Sequence, residues 1–190
     1  MMREIETPGS AVGLAEFAAH LRLPEGFGGE APGALETYAR AATAAVEAMT
    51  GLALISRRVL WTVTRWGNGR CQRVPVAPVE RVNAVTRVFA DGSWEAVDLS
   101  AVWLRPDDLR PMLSGARGGA LPAVPTGGRV EVELLAGFGA TPESVPAELR
   151  QAVMLLGAHY HEQRHVTADP ERAAPYGVAA LVARWREVRL

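Results

Sequence analysis

The residues best able to do chemistry are the run HEQRH at positions 161 to 165, which matches the HExxH string of zinc-dependent hydrolases. On a helix, His161 and His165 lie four residues apart on one face and would bind zinc, and Glu162 would act as base toward a metal-bound water. A third protein ligand is missing, because Glu171 lies in a proline-bounded segment and not on a second helix. The string also ends its predicted helix, where the helix dipole favours His and Arg. We therefore favour a structural helix end, with no metal and no catalytic residue, and keep a zinc-dependent hydrolase as the alternative.

The single cysteine, Cys71, is the other reactive group. Arg70 and Arg73 lie on either side of it, but a lone thiol on a strand is usually inert. The chain has neither a glycine-rich phosphate-binding loop nor a GxSxG nucleophile turn. These observations predict a protein that needs no cofactor and is not an enzyme.

Composition and charge are those of an ordinary globular chain. Its 190 residues are 48% apolar and 22% charged, and one cysteine cannot form an internal disulfide. No apolar run approaches the roughly 20 residues needed to span a bilayer, and the N-terminal residues lack the apolar segment of a signal peptide, so we expect no membrane contact. The net charge of -1 argues against a dedicated nucleic-acid binder.

Charge is distributed in blocks along the chain. Residues 53 to 90 hold seven arginines and one glutamate, whereas residues 91 to 148 hold nine acidic residues and four arginines. Adjacent blocks of opposite sign suit either ion pairs within one chain or a head-to-tail contact between copies. Arg57 and Arg58, at the start of the basic block, are therefore candidates for a subunit interface.

Periodicity of the apolar residues predicts helices at both ends of the chain. These helices cover residues 11 to 22, Gly33 to Thr50, 149 to 160 and 178 to 188. We expect Ser10 to cap the first helix and Gly51 to end the second. The third is apolar nearly all round, which predicts burial on most sides and self-association, so His159 and Tyr160 near its end are further candidates for a subunit interface.

Between the helices the period changes to two, which predicts strands. The strand-like runs are residues 55 to 66, 79 to 89, 94 to 99 and 129 to 139. Asp91-Gly92 predicts a hairpin turn, and residues 105 to 128, rich in Pro and Gly, predict a long surface loop. The fold class is therefore α+β: a helical bundle formed by the N- and C-terminal helices with a β-strand insertion between them. We expect a single domain over 1 to 190, with N-terminal helices in 10 to 52, the β insertion in 54 to 139 and C-terminal helices in 145 to 190.

Three features occur in an order that is familiar. They are the alanine-rich helix AATAAVEAMTG before a strand, the strand RVEVELLAGFG ahead of VPAELRQA, and the apolar helix that ends in HYHEQR. Together they resemble the head-tail connector, or adaptor, family of tailed phages and phage-like gene transfer agents, over about residues 10 to 190. Members of that family commonly carry His, an aromatic residue, Glu and Arg at this helix end without a metal role.

The resemblance implies a structural protein of the particle neck, assembled in the bacterial cytoplasm. Its subunits would form a homo-oligomeric ring beneath the portal protein, contact a downstream tail or stopper protein, and pass double-stranded DNA without reading its sequence. The number of subunits, and the choice between a phage and a gene transfer agent, stay open. A ring needs heterologous contacts, in which one patch meets a different patch on the next copy.

The C-terminal residues ARWREVRL are aromatic and arginine-rich, as protein interfaces often are. One interpretation is a terminal helix that packs on its own subunit. The resemblance favours docking on the portal instead, because connector subunits are thought to dock through their C-terminal segments. The residues predicted to bind the portal are Arg184, Trp185, Arg186, Val188, Arg189 and Leu190.

Overall fold

The computed structural model describes residues 1 to 23, 32 to 163 and 175 to 186. Within these ranges the chain has four α-helices and two antiparallel sheets, so the mixed α and β class predicted from the sequence is confirmed. The chain divides into two compact units, a β unit of Met1–Pro8 and Ser56–Phe138 and a helical unit of Gly9–Ile55 and Gly139–Leu190. In the described ranges no helix is both long and apolar enough to cross a membrane.

The β unit contains a five-stranded sheet in the order β1-β2-β8-β4-β5 and a three-stranded sheet in the order β3-β7-β6. All the paired strands are antiparallel. The strands are β1 (Met2–Glu4), β2 (Arg57–Val63), β3 (Cys71–Arg73), β4 (Val79–Val88), β5 (Trp94–Ala96), β6 (Val102–Arg105), β7 (Met112–Gly115) and β8 (Arg129–Ala136).

The period of two places the core of the five-stranded sheet, as predicted. Every second side chain is buried in β2, beginning at Arg57, and in the central strand β8. Those of β8 are completely buried, namely Val130, Val132, Leu134 and Ala136. Burial of one face therefore fixes the register of β2 and β8, since a slip by one residue would expose all of these side chains.

The hairpin predicted at Asp91-Gly92 joins β4 to β5 and is confirmed. Gly92 has a φ of +85°, a left-handed conformation that glycine adopts without strain. The Asp91 carboxylate accepts hydrogen bonds from the Ser93 amide at 2.9 Å and the Ser93 hydroxyl at 2.6 Å. These bonds close the turn, so that Val88 pairs with Trp94.

The prediction of a long loop over residues 105 to 128 is wrong in part. Strand β7 and a 3-10 turn at Ala116–Gly118 lie inside it. Leu113 in β7 is completely buried, and β7 pairs with β3 on one side and β6 on the other. One buried side chain and two long-range neighbours therefore hold this strand, although the surrounding Pro and Gly residues are typical of loops.

The helical unit contains α1 (Leu14–His20), α2 (Pro32–Thr50), α3 (Ala147–Glu162) and α4 (Tyr176–Val182). Helix α2 ends as predicted at Gly51, whose φ is +75°. The N-cap predicted for the first helix is wrong: Gly13 occupies that position, and the Ser10 hydroxyl accepts a 3.2 Å hydrogen bond from the Val12 amide. The Thr43 hydroxyl instead anchors the chain ahead of α1 by accepting a 3.1 Å bond from the Ala11 amide.

The last helix is shorter than the predicted 178 to 188. It buries Val178 and Val182, and one 3-10 turn over Ala183–Trp185 follows before Arg186 becomes extended. The α-helix ends where its buried side chains end, because Ala183 and Arg184 are exposed and bury no apolar surface that would hold another turn.

Candidate assembly surfaces

Helix α3 carries the predicted interface pair and the HExxH string, and one of its faces is the core of the helical unit. Leu149, Val153 and Leu156 are buried on this face. Gly157 lies there too, and a Cβ added to it would meet two ring carbons of Phe17 at 2.9 Å. Glycine at this position therefore lets Phe17 approach the α3 backbone closely.

The other faces of α3 are only half-buried within one subunit. Met154, Leu155 and Ala158 keep part of their apolar surface exposed, as do His159 and Tyr160. The His159 and Tyr160 rings are tilted against each other with centroids 6.3 Å apart. Partial burial raises the pKa of the Tyr160 hydroxyl, so it stays a neutral hydrogen-bond donor at physiological pH. A role for this pair at a subunit interface stays a prediction.

The HExxH string begins in the last turn of α3. His161 is buried, and its ring meets the Tyr38 ring edge-on, with centroids 5.9 Å apart and an interplanar angle of 90°. Glu162 is exposed, and His165 and Glu171 lie outside the described residues. In the part of the chain that the structure describes, no three His, Cys, Asp or Glu side chains are close enough together to hold a metal ion. His161 thus packs inside the helical unit against the Tyr38 ring.

Arg57 is on the buried face of β2, and its charge is paired within the chain. Its side chain is 7% exposed, and Nε and Nη2 donate hydrogen bonds of 3.0 Å and 2.8 Å to Glu4 Oε1. Glu4 belongs to β1, which pairs with β2. Strand β1, which was not predicted from the sequence, therefore supplies a carboxylate to the buried guanidinium of Arg57, whose charge would be costly to bury without one.

Arg58 is on the opposite, exposed face of the same strand. Its Nε donates a 2.9 Å hydrogen bond to Glu133 Oε1 in β8, and Nη1 lies 3.6 Å from Glu6 Oε1. Asn83 of β4 donates a 3.3 Å bond to the same Glu133 oxygen. Arg58 above all, with Asn83, holds the pKa of the Glu133 carboxyl below its usual value. A role for Arg57 and Arg58 between subunits stays a prediction.

Other arginines of the basic block also bond to protein atoms. Arg87 donates to Glu95 at 3.2 Å, Arg73 to the Leu109 carbonyl at 3.1 Å, and Arg81 to Asn83 at 3.0 Å. The pairs Arg57–Glu4, Arg58–Glu133 and Arg87–Glu95 each join the basic block to a more acidic part of the chain. Ion pairs within one chain therefore account for much of the charge alternation.

The predicted portal-binding segment is described as far as Arg186. Arg184 lies 3.1 Å from Glu148 of α3, and its guanidinium carbon is 4.8 Å from the centre of the Trp185 ring. Trp185 is half-buried and Arg186 is exposed. Val188, Arg189 and Leu190 lie outside the described residues. In the described part of the segment, Arg184 therefore stacks on Trp185 and pairs with a carboxylate of its own subunit.

Two exposed tryptophans were missed by the sequence reasoning. Trp94 in β5 is 70% exposed and Trp103 in β6 is 61% exposed. Both belong to strands at the edge of a sheet. For Trp94 the sequence held a sign of exposure. In WEAV, Trp94 shares its strand face with the small residue Ala96, so this face offers little apolar surface to bury.

Three solved structures are similar to this chain over its whole length. A chain in the neck of an empty gene transfer agent particle, computed with C6 symmetry, is 46% identical with a TM-score of 0.88. A chain in the neck of the native particle, computed with C12 symmetry, is 44% identical with a TM-score of 0.85. A chain in the virion of the native particle is 46% identical with a TM-score of 0.87. Each match covers 100% of this chain and 97% of the other.

Neither a protein-family model nor a curated protein matches the chain. The similar structures are all parts of an assembled particle. They give no support to the zinc-dependent hydrolase that the HExxH string suggested.

Proposed function

The chain belongs to the family of neck proteins of gene transfer agent particles, and from this we propose that it is a head-tail connector subunit of such a particle. Its place is the neck of the particle, where it is a structural protein. The observation that carries this proposal is the 46% identity over 100% of the chain, with a TM-score of 0.88. In the proposed role, copies form a ring beneath the portal, join the DNA-filled head to the tail and continue the DNA channel.

A closed homo-oligomeric ring is the arrangement that the similar necks support. Those necks were computed with C6 and C12 symmetry, so their chains are related by rotation about one axis. For this chain we propose the same kind of ring, built from heterologous contacts. Within each subunit of this ring, the helices from the two ends of the chain would act as one bundle, in which Phe17 packs against Gly157.

The direct test is electron cryo-microscopy of particles from a producing strain, with particles from a strain deleted for this gene as the control. We expect a closed ring of this chain in the neck, and its loss in the deletion strain together with tails that no longer attach. A single copy, a two-fold dimer or no copy of the chain in the neck would contradict the proposal.

Docking on the portal through the C-terminal segment is the next part of the proposal. Arg184, Trp185 and Arg186 lead into this segment, which Val188, Arg189 and Leu190 complete. Replacing residues 187 to 190 by glycine and serine should leave the protein folded but give DNA-filled heads without tails. Glu36→Gln, at an exposed position of α2, is the control for the effect of a surface substitution outside this segment. Normal tailed particles from the replacement variant would show that the docking surface lies elsewhere.

The channel surface should bind duplex DNA weakly and without reading its sequence, because a conduit must let the duplex slide. Each arginine that contacts a phosphate adds salt-dependent affinity. The bonds of Arg57, Arg58 and Arg87 to carboxylates of their own chain support this part of the proposal. Fluorescence anisotropy with a labelled duplex near physiological salt should give only weak binding. A sub-micromolar affinity of the isolated protein would contradict it.

A further inference from the structure

One face of the three-stranded sheet, here named the outer face, is open to solvent. Across it, Cys71 and Trp103 both pair with Ser114, while Arg73 and Arg105 both pair with Met112. These side chains share one face because alternate residues of a strand point the same way. The neighbouring residue Leu113 points to the opposite face and is completely buried. The sheet therefore has one face in the core and one face without cover in the described chain.

The outer face combines apolar surface with positive charge. Trp103, Met112 and Cys71 line a shallow depression of about 140 Å³ that Arg105 and Ser114 complete. Arg105 is exposed at its rim, and Arg73, exposed on the same face of the sheet, donates a 3.1 Å hydrogen bond to the Leu109 carbonyl. Two acidic side chains lie beside it: Asp107 in the loop after β6, whose carboxylate accepts from the amides of Leu109 and Arg110, and Glu80, which lines a neighbouring groove with Trp103. The face itself carries no acidic side chain, so it suits an occupant that brings both an apolar side chain and negative charge.

The hairpin between β4 and β5 has the complementary composition, and residues 91 to 98 are here named the acidic hairpin. Trp94 is exposed directly after its turn, and its acidic residues are Asp91, Glu95 and Asp98, of which Glu95 also pairs with Arg87 of β4 at 3.2 Å. Hydrogen bonds from Ser93 and from Ser100 hold the pKa values of Asp91 and Asp98 below their usual range, so both are ionised near neutral pH. Trp94 is the most exposed tryptophan of the described chain, at 70%.

The two features lie at opposite ends of one strand, β4. The hairpin follows Val88 at its end. Residues Arg81 and Val82 near its beginning line a groove together with Trp103. Seven residues of strand separate these points, which is a distance of roughly 23 Å. Trp94, beside the turn, therefore cannot reach the outer face of its own chain, but Trp94 of a neighbouring copy can. Asp98, at the other end of the acidic hairpin, precedes Leu99, which lines the same groove as Trp103.

We propose that the acidic hairpin of one copy docks on the outer face of the next copy, with Trp94 in the depression beside Trp103. This inference rests on the proposed function, because it needs copies arranged in a ring. Features at opposite ends of a strand make a head-to-tail contact, which is the kind that rotation about one axis closes. Charge complementarity selects the hairpin as the occupant, and two tryptophans supply the apolar contact that dominates many interfaces.

The experiment uses Cys71, the only cysteine of the chain, as a built-in probe of the outer face. Particles are prepared with a cysteine introduced by Ser93→Cys, Trp94→Cys or Glu95→Cys and treated with a short bismaleimide crosslinker. We expect a ladder of bands whose masses are multiples of this chain. The ladder should disappear when Cys71→Ser is added. Arg40→Cys, on an exposed position of α2, is the matched control and should give no ladder.

The possible outcomes separate the contact from the function. Particles that contain the ring but give no ladder at any of the three hairpin positions would overturn the contact and leave the connector function standing. A ladder that persists after Cys71→Ser would mean that hairpins meet each other, and would overturn it too. Absence of the chain from particles would overturn the connector function, and the contact with it.

Charge reversal tests the same contact without cysteine chemistry. Arg105→Glu should lower the amount of this chain in particles by about tenfold, because repulsion replaces attraction at the joint. Adding Asp98→Arg should restore it, which a merely misfolded variant would not allow. Arg40→Glu makes the same charge change on the helical unit and should have no effect. If Arg105→Glu lowers the affinity for duplex DNA and leaves the ring intact, the outer face binds DNA and the proposed contact between copies is wrong.

Discussion

Gly157→Ala sets two effects of known size against each other. Alanine in place of glycine within a helix is favourable by about 1 kcal/mol. Against this, the new Cβ would lie 2.9 Å from Cε2 and Cζ of Phe17, well inside the separation at which carbon atoms attract. Phe17 is completely buried and cannot swing away, and overpacking of this kind costs about 1 to 3 kcal/mol. We therefore expect a net loss of about 1 kcal/mol in the free energy of unfolding.

The assay is urea unfolding followed by far-ultraviolet circular dichroism, with the midpoint and the slope fitted separately. Gly177→Ala is the matched control, since its Cβ would meet only Leu155 Cδ1 at an ordinary 3.5 Å. This variant should gain stability, or at least lose none. A gain of about 1 kcal/mol in Gly157→Ala as well would refute the reasoning, because propensity alone would then decide the outcome.

A second variant shows whether Phe17 is the obstacle. Phe17→Leu alone should lose stability, because it opens space in the core of the helical unit. Combined with Gly157→Ala it should lose less than the sum of the single variants, with a coupling of about 0.5 kcal/mol or more. Strict additivity would show that the two side chains do not compete for space.

Three further predictions concern the charged groups. The purified protein should carry no stoichiometric zinc by metal analysis, and Glu162→Gln should leave particle production unchanged; loss of particles with folding intact would contradict this. Arg58 lowers the pKa of the Glu133 carboxyl in the folded protein. Their pairing therefore stabilises the fold fully above the unfolded pKa of this carboxyl, and the stabilisation is lost as the pH falls through the folded pKa. Glu133→Gln should accordingly make the free energy of unfolding depend less on pH in the acidic range. Arg58→Glu should weaken assembly more at low salt than at high salt, and equal effects at both would exclude a screened surface contact.

Elements with a strong period were predictable from the sequence. Helix α2 and strand β2 were placed correctly because one face of each is buried and the apolar residues recur at the spacing of that face. The Asp91-Gly92 turn was placed because its backbone conformation selects those residue types. In each case the deciding information lies within a short stretch of chain.

Elements held by distant partners were not predictable. Strand β7 has one completely buried residue, Leu113, and depends on β3 and β6 for its pairing. Strand β1 is exposed throughout, so no alternation marks it, and it is held by pairing with β2 and by the bond from Arg57 to Glu4, 53 positions away. The alternation of β2 places Arg57 on the apolar face of the strand, but the fold is needed to bring Glu4 to it.

The charge blocks admitted two interpretations, and the ion pairs assign different parts of them to different tasks. Arg57 and Arg58, at the start of the basic block, bond to carboxylates on strands of their own sheet, so their first effect is to hold β1, β2 and β8 together. Other exposed charges are distributed differently: the outer face carries Arg73 and Arg105, whereas the acidic hairpin carries Asp91, Glu95 and Asp98, with only Glu95 paired to an arginine, Arg87, in the ion pairs described above. Charges paired within the chain stabilise one subunit, whereas two separated surfaces of opposite net charge suit a contact between two copies. Alternation along the sequence therefore supports both the fold of one subunit and the proposed joint between two.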